Sequence, residues 1–360
     1  MNWEGRREEP NGPEPEGPNG PESGEFNGPE PEVGAQPCPG EAVIPPTPGR
    51  ATPPAYGGPG WRPRSTSLKE ELGTHWASCG LDTEWRPLRQ VLLHRPGREM
   101  EAAALNPEAA LMLDTPDPAR MQIQHDALVQ AYREAGVVVH YVDPPALPTP
   151  NQMFCADLLA MSPQGAVLAR PASETRAGEE RWVARALAQA GVPILRSVAG
   201  SGVFEGADLM WLAPDQALLA TGLRTHDEGA AQVAALLEWM GVTVHRTHLP
   251  PGTMHLMGQL RILDENLALA WPGRFPPETA DLLKRLGYAL HFVPNEEEAR
   301  SGFALNVVTL GPRKILMPAG NPVTEAFYRK LGVECVTVEV DELGKAAGSI
   351  GCLTGVLERG

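Results

Sequence analysis

The sequence is poor in cysteine, in basic residues and in long apolar runs. Its five cysteines are odd in number and show no Cys-x-x-Cys spacing, which argues against a disulfide framework and fits a reducing compartment. No apolar run approaches the roughly 20 residues of a transmembrane helix, and the amino terminus lacks the basic start and apolar run of a signal peptide. The 30 basic against 45 acidic residues leave a net charge of −15, which argues against nucleic-acid binding. These absences predict a cytoplasmic protein with no membrane and no nucleic-acid partner.

Glycine and proline are abundant but unevenly distributed. Residues 1–66 hold 12 of the 38 glycines and 16 of the 38 prolines, and the motif Asn-Gly-Pro-Glu recurs there from Asn11, Asn19 and Asn27. Such a segment has too few apolar side chains to offset the entropy that is lost on folding. We expect residues 1–66 to be a disordered Pro/Gly/Glu-rich tail that is dispensable, and residues 67–360 to form the folded domain.

The folded domain contains an internal repeat. Four segments each predict a strand, a tight turn and a second strand. Each hairpin is followed by a helix with apolar residues every three or four positions, by a glycine that ends the helix, and by one more short strand. The hairpins span 154–170, 204–221, 255–271 and 304–318, and the helices span 177–190, 228–240, 277–286 and 323–331.

The second strands of these hairpins recur with a period of about 50 residues, which is typical of repeat architectures. A less regular fifth copy comes first, with a strand at 90–94, a helix at 119–135 and a strand at 137–142, and residues 349–357 are expected to complete its sheet. Five ββαβ units of this kind predict a five-bladed α/β propeller, which is a closed ring with pseudo-fivefold symmetry. The alternative is an ordinary open α/β sheet.

A ring would bring equivalent positions of the repeats together around one axis. Polar residues stand near the start of each first strand, and the closing segment adds a cysteine. Acids, a histidine and a cysteine that converge on one mouth predict nucleophilic catalysis on a cationic substrate. The residues concerned are Asp157, Glu205, Asp208, His255, Asn306 and Cys352.

The motifs around these residues resemble, in the same order, those of the guanidino-group modifying enzymes, or penteins. This superfamily includes amidinotransferases, arginine deiminases and dimethylarginine dimethylaminohydrolases. The resemblance covers about residues 82–359 and implies a pentein catalytic domain with a small cationic guanidino substrate and no cofactor; we expect no metal. The motifs are Phe154-x-x-Asp157, Phe204-Glu205-Gly-Ala-Asp208, His255-Leu256 and Gly348-Ser349-x-x-Cys352-x-Thr354.

The resemblance implies catalytic roles for four residues. Cys352 would attack the central carbon of the guanidinium group as a thiolate. His255 would protonate the departing nitrogen and then act as base toward water or an acceptor amine. Asp157 and Glu205 would grip the planar guanidinium through charge-assisted hydrogen bonds. The structural alternatives are a buried apolar cysteine, a core histidine and ordinary ion pairs or caps.

Four further residues complete the expected substrate site. Arg176 follows Asp157 by 19 residues and, with Arg224, resembles the arginines that bind the substrate's α-carboxylate in dimethylarginine dimethylaminohydrolases. The alternative for both is a solvated charge. Asp208 would either contact the substrate or hold the backbone of its own turn, and Asn306 lies at the same mouth.

One departure from the superfamily bears on the reaction. Many deiminases and amidinotransferases have His-x-Asp, where this chain has His255-Leu256-Met257, and the lost carboxylate suits an alkylated guanidinium or a different pocket. We therefore expect a hydrolase of C–N bonds in linear amidines that forms a covalent thiouronium intermediate and releases a citrulline-type ureido product. The alternatives are an amidinotransferase and a non-catalytic binding protein with the same ring fold. The sequence leaves open whether the protein forms a homodimer.

Overall fold

The computed structural model describes residues 51–274 and 276–360. The prediction of a disordered tail over 1–66 therefore lies, for residues 1–50, outside the described residues. The chain divides after Arg64 into two units, and the described part of the first contains a 3₁₀ turn at Pro54–Tyr56. In the described ranges, no helix combines the length and the apolar character that crossing a membrane requires.

The second unit, Ser65–Gly360, contains fifteen described strands. They are β1 (Leu88–Leu93), β2 (Val138–Tyr141), β3 (Leu159–Ser162), β4 (Gly165–Leu168), β5 (Ile194–Ser197), β6 (Leu209–Ala213), β7 (Gln216–Thr221), β8 (Thr243–His248), β9 (Leu260–Asp264), β10 (Leu267–Ala270), β11 (Ala289–Phe292), β12 (Val308–Gly311), β13 (Lys314–Pro318), β14 (Glu334–Val338) and β15 (Gly355–Arg359).

These strands form five three-stranded mixed sheets. The orders are β15-β1-β2, β3-β4-β5, β6-β7-β8, β9-β10-β11 and β12-β13-β14. In every sheet the central strand pairs antiparallel with the first neighbour and parallel with the second. The four predicted hairpins are therefore present, and the carboxyl-terminal strand β15 completes the sheet of the first unit, as predicted.

Helices make the parallel crossover in each sheet, as the 3.6-residue pattern predicts. Their apolar faces are fully buried, for example Val183 with Leu187 and Val233 with Leu237. The helices are α1 (Leu68–Glu71), α2 (Glu99–Leu105), α3 (Pro118–Glu134), α4 (Cys155–Leu158), α5 (Glu180–Gln189), α6 (Asp227–Trp239), α7 (Pro277–Arg285), α8 (Glu296–Arg300), α9 (Pro322–Lys330), α10 (Asp341–Gly344) and α11 (Ile350–Leu353).

The glycine after each crossover helix adopts the left-handed conformation that ends a helix. The φ angles of these five residues lie between 75° and 90°, where a side chain would be strained. The helix ends that were predicted from these glycines are therefore confirmed. The glycines are Gly136, Gly191, Gly241, Gly287 and Gly332.

The first strand of each hairpin begins later than predicted. In the first three hairpins a single helical turn occupies the expected start, at Cys155–Leu158, Gly206–Asp208 and Leu256–Gly258, and in the fourth the strand starts only at Val308. The prediction was wrong at this point because the polar side chains there are buried and need partners that a sheet ladder does not supply. Asp157, Glu205 and His255 lie in or directly before these helical turns.

Gly229 provides a test of how closely the elements pack. A Cβ atom at this position on α6 would lie 2.0 Å from the carbonyl oxygen of Val203. We therefore expect Gly229→Ala to lower the free energy of unfolding by at least about 2 kcal/mol through overpacking, although alanine favours helix by about 1 kcal/mol. Urea denaturation measures the change. Gly258→Ala, where no atom lies within 4 Å of the added Cβ, is the control and should stay close to wild type.

Candidate active site

Three of the short helical turns deliver the candidate side chains to one place. Glu205 and His255 each occupy the residue just before a 3₁₀ turn, and Asp157 lies within α4. Cys352 lies within α11, directly before β15. Because these turns occupy corresponding positions in their repeats, their side chains meet at the same ends of the sheets.

The imidazole ring of His255 lies between two carboxylates. Its Nε2 lies 2.6 Å from Glu205 Oε2, and its Nδ1 lies 3.8 Å from Asp157 Oδ1. All three side chains are buried. The predicted convergence of Asp157, Glu205 and His255 is therefore present in the structure.

Arg176 contributes the positive charge beside these acids. Its Nη1 donates to Asp157 Oδ2 at 2.7 Å and lies 3.5 Å from Glu205 Oε2, while its Nε donates to Glu179 Oε2 at 2.9 Å. Glu179 was missed by the sequence reasoning, although its position three residues after Arg176 places it within reach. Its burial raises its pKa to about 7, against the pull of Arg176.

Arg224 and Asp208 have different partners near Glu205 and His255. Arg224 Nη1 lies 3.4 Å from Glu205 Oε1, and its side chain is partly accessible. Asp208 accepts hydrogen bonds from Thr225 Oγ1 at 2.6 Å and from the backbone N–H of Leu256 at 2.9 Å. Asp208 thus ties the turn of Glu205 to the turn of His255 instead of holding the backbone of its own turn, and a contact of Asp208 with the substrate remains a prediction.

Cys352 is held by Asn306. Asn306 Nδ2 donates to Cys352 Sγ at 3.0 Å, and its Oδ1 accepts from the backbone N–H of Cys352 at 3.2 Å. Burial and the charge of Asp157 raise the pKa of the Cys352 thiol, while the Asn306 hydrogen bond lowers it. In this structure Asn306 orients the sulfur.

One cleft brings the sulfur and the charged side chains together. Three candidate residues lie behind the lining residues and affect them through their hydrogen-bond and ion-pair partners. They are Glu205, Asp208 and Asn306. Met257 lines two neighbouring clefts instead, so the sequence departure at this position lies outside the wall that Cys352 faces. The polar lining consists of Asn151, Asp157, Arg176, Arg224, His255 and Cys352.

The protonation states at neutral pH follow from this geometry. Burial alone would lower the pKa of His255, but the charges of Asp157, Glu205 and Asp208 outweigh burial and raise it to about 9. Burial alone would raise the pKa of Glu205, and the hydrogen bond from His255 together with Arg176 and Arg224 lowers it below its usual range. An imidazolium therefore faces a carboxylate inside the cleft.

Comparison with known families decides the relationship. The sequence model of the family described as "N,N dimethylarginine dimethylhydrolase, eukaryotic" matches residues 117–357, which is more than half of the chain and includes every candidate residue. The chain belongs to this family.

Relatives of known name agree with this membership. The N(G),N(G)-dimethylarginine dimethylaminohydrolase of Pseudomonas aeruginosa is 28% identical over 244 residues, which cover 67% of this chain and 90% of that enzyme. The enzyme of the same name from Mycobacterium tuberculosis is 29% identical over 270 residues, or 74% of this chain and 85% of its own.

Solved structures agree on the fold. A cysteine-to-serine variant of the Pseudomonas aeruginosa enzyme in complex with citrulline is 25% identical, with a TM-score of 0.64 over 76% of this chain and 100% of that chain. An amidinotransferase from Microseira wollei has a TM-score of 0.62 at 17% identity, over 78% of this chain and 97% of its own. The pentein fold with mixed α/β sheets is thereby confirmed for this family member.

A cation could be held by the same acids. Among the described residues, the ligand atoms of Asp157, Glu205 and His255 lie within 4.8 Å of one another, which suits a metal ion. Arg176 and Arg224, however, already bring two positive charges to these carboxylates. The absence of a metal remains a prediction.

The clamped His255 makes stability depend on pH. Its pKa rises from 6.5 to about 9 on folding, so the stabilisation is fully present below pH 6.5 and is lost as the pH rises through 9. The raised pKa of Glu179 also contributes to the stability of the fold. This contribution is lost at lower pH, as the pH rises from 4.5 to about 7. We expect the free energy of unfolding to fall between about pH 7.5 and pH 9.5 in the wild type and to fall less in His255→Gln. Urea denaturation at both pH values measures the free energy of unfolding. An equal fall in the wild type and in His255→Gln would contradict the charged state assigned to His255.

Proposed function

We propose that this chain hydrolyses an arginine-like guanidino compound with a methylated guanidinium, through a covalent bond to Cys352. The observation that carries the proposal is that Cys352, held by Asn306, opens into the same cleft as the charged group of Asp157, His255 and Arg224. A nucleophile, a proton donor and acids for a cation are the parts that this reaction needs.

Asp157 would hold the substrate guanidinium directly, and Glu205 would support it from behind the lining of the cleft. Among the described residues, Asp157 Oδ1 is a buried acceptor with no hydrogen-bond partner, so it can accept an N–H of the substrate. Glu205 would add negative charge from behind His255. A guanidinium held in this way would present its central carbon to the Cys352 sulfur in the same cleft.

In the first step, the Cys352 thiolate would bond to the guanidinium carbon, and the bond from this carbon to the methylated nitrogen would break. His255, which is protonated because its pKa is raised to about 9, would give its Nδ1 or Nε2 proton to the departing amine. The product of this step is an alkylthiouronium on Cys352 that still carries the rest of the substrate.

In the second step, water would attack the same carbon, and the carbon–sulfur bond would break. The now neutral His255 would take one proton from the water, the second proton would go to solvent, where the released amine takes it up, and the thiolate would leave as the ureido product forms. The reaction balances with water alone, so we propose that no cofactor takes part. Because it requires a free thiol, we place it in the cytoplasm.

Arg176 and Arg224 would bind the far end of the substrate. Both line the cleft, and Arg224 is the more accessible of the two. Arg176 uses Nη1 and Nε on Asp157 and Glu179, which leaves Nη2 with only a 3.5 Å contact to the carbonyl oxygen of Asn151. The α-carboxylate of an amino acid would complete the coordination of these two cations.

We further infer that the five sheets close into a ring with pseudo-fivefold symmetry around this cleft. Each consecutive pair of sheets shares a contact, which supports closure. The contacts run from Trp211 Nε1 to the Met161 oxygen, from Tyr288 Oη to the Leu212 oxygen, from Thr309 Oγ1 to the Ile262 oxygen, from Arg359 Nη1 to the Thr309 oxygen, and from Gly355 to the side chain of Leu159.

Incubation with a panel of guanidino compounds tests the proposed function. The panel contains arginine, methylated arginines and agmatine, each with and without glycine, and mass spectrometry reads the products. We expect a ureido product from a methylated arginine, the same yield with glycine, and poor turnover of agmatine, which lacks the carboxylate. A new guanidino compound that forms only with glycine would instead identify an amidinotransferase.

A further inference from the structure

A buried arginine without a complete set of partners lies behind the candidate nucleophile. Arg261 is on β9, and its Nε donates to the carbonyl oxygen of Leu305 at 3.1 Å. Its Nη2 is fully buried and has no hydrogen-bond partner among the described residues. A buried guanidinium nitrogen without a partner is costly, which calls for an electrostatic reason to keep it there.

The guanidinium of Arg261 lies directly against the segment that carries Cys352. A Cβ atom at Gly351 would lie 2.1 Å from Arg261 Nη2 and 2.8 Å from Asn306 Oδ1. Gly351 immediately precedes Cys352, and Asn306 bonds both the sulfur and the backbone of Cys352. Only a residue without a side chain at position 351 allows this close approach.

Several charged groups lie around the sulfur, since Arg176, Arg224 and the protonated His255 line the cleft into which it opens. The carboxylate of Asp157 on α4 disfavours a thiolate, and the guanidinium of Arg261 on β9 favours it. Burial lowers the pKa of Arg261 only to about 10, so it is a cation at neutral pH. The other titratable groups that act on Arg261 are Glu84, Tyr132 and Tyr328.

We propose that Arg261 is a positioning residue that stabilises the thiolate form of Cys352 before substrate binds. When the Sγ–H bond ionises, the proton leaves to water and the electron pair stays on sulfur, where it faces the guanidinium across Gly351. The attacking side of the sulfur stays open to the cleft. An opposite charge close to a partly buried thiol is an established way to raise the thiolate fraction.

This inference rests on the proposed role of Cys352 as nucleophile, but its test needs no turnover. Alkylation of Cys352 by iodoacetamide is followed from about pH 6 to pH 10 in the full chain without substrate, and the peptide that contains Cys352 is read by mass spectrometry. We expect Arg261→Met to slow alkylation at pH 7 about tenfold and to move the profile to higher pH, since one pKa unit corresponds to a tenfold change in the thiolate population.

Arg359→Met is the matched control. Arg359 is also buried, lines the same cleft as Arg261 and Glu84, and has an unpartnered Nε among the described residues. It bonds the carbonyl oxygens of Arg86 and Thr309 and lacks contact with Cys352 in the described interactions. The alkylation profile of this variant should match wild type.

Gly351→Ala provides a second variant, because its methyl group occupies the position of Arg261 Nη2 and must displace it, while it also approaches Asn306 Oδ1 to 2.8 Å. We expect it to slow alkylation at pH 7 in the same direction. If Arg261→Met does not fold by circular dichroism, Gly351→Ala decides alone. Wild-type profiles in the folded variants, or an equal shift in Arg359→Met, would overturn the proposal. Loss of hydrolysis with a shifted alkylation profile would leave it standing.

Discussion

Cys352→Ala is expected to lower kcat for the guanidino substrate by at least about 10⁴-fold, because removal of a nucleophile leaves no covalent path. The fold should survive the change. The side chain is only partly buried, and the substitution removes its hydrogen bond from Asn306, which is worth about 1 kcal/mol. Steady-state kinetics and urea denaturation of the same preparation separate the two effects.

Cys335→Ala is the control for this variant. Cys335 is buried in β14, and the structure places it outside the lining of the cleft. Its replacement should reduce stability modestly and leave kcat unchanged. Activity that persists in Cys352→Ala would rule out the covalent mechanism, whatever happens in the control.

His255→Gln is expected to lower kcat by about 10³-fold, since general acid–base catalysis contributes about 10²–10⁴-fold. The loss should depend on the leaving group. With a substrate that expels a thiolate instead of an amine, the first step needs no proton, so the variant should still form the covalent adduct. Water attack still needs a base, so this adduct should accumulate. Rapid quenching followed by mass spectrometry measures both steps.

His248→Gln is the matched control, because His248 is exposed at the end of β8 and bonds Thr221. It should behave as wild type with both kinds of leaving group. If the rate of adduct formation in His255→Gln falls by the same factor with an amine and with a thiolate leaving group, His255 has another role than proton donor in the first step.

The repeat could be predicted from the sequence because each unit carries the same local pattern of residues. Alternating apolar residues, turn residues and a glycine after each helix recur with one period, and the sheets follow them strand by strand. The family motifs then located Asp157, Glu205, His255 and Cys352. These positions meet because equivalent parts of a repeat occupy equivalent places.

Interactions between different repeats could not be read in the same way. Glu179 holds Arg176 by a local contact that spacing could have suggested, but the approach of Arg261 to Gly351 joins two segments 90 residues apart. The helical turns at the strand starts were also missed. Their formation depends on tertiary hydrogen bonds such as Asp208 to Leu256, which no local pattern encodes.

The central claim is that Cys352 carries the guanidino carbon during hydrolysis. The most direct test is an acid quench during turnover of a dimethylated arginine, followed by the mass of the peptide that contains Cys352. The account predicts an adduct equal to the substrate less dimethylamine, because the alkyl chain stays attached until water arrives. An adduct of the amidino group alone would indicate transfer chemistry, and turnover with an unmodified Cys352 at every quench time would contradict the covalent mechanism.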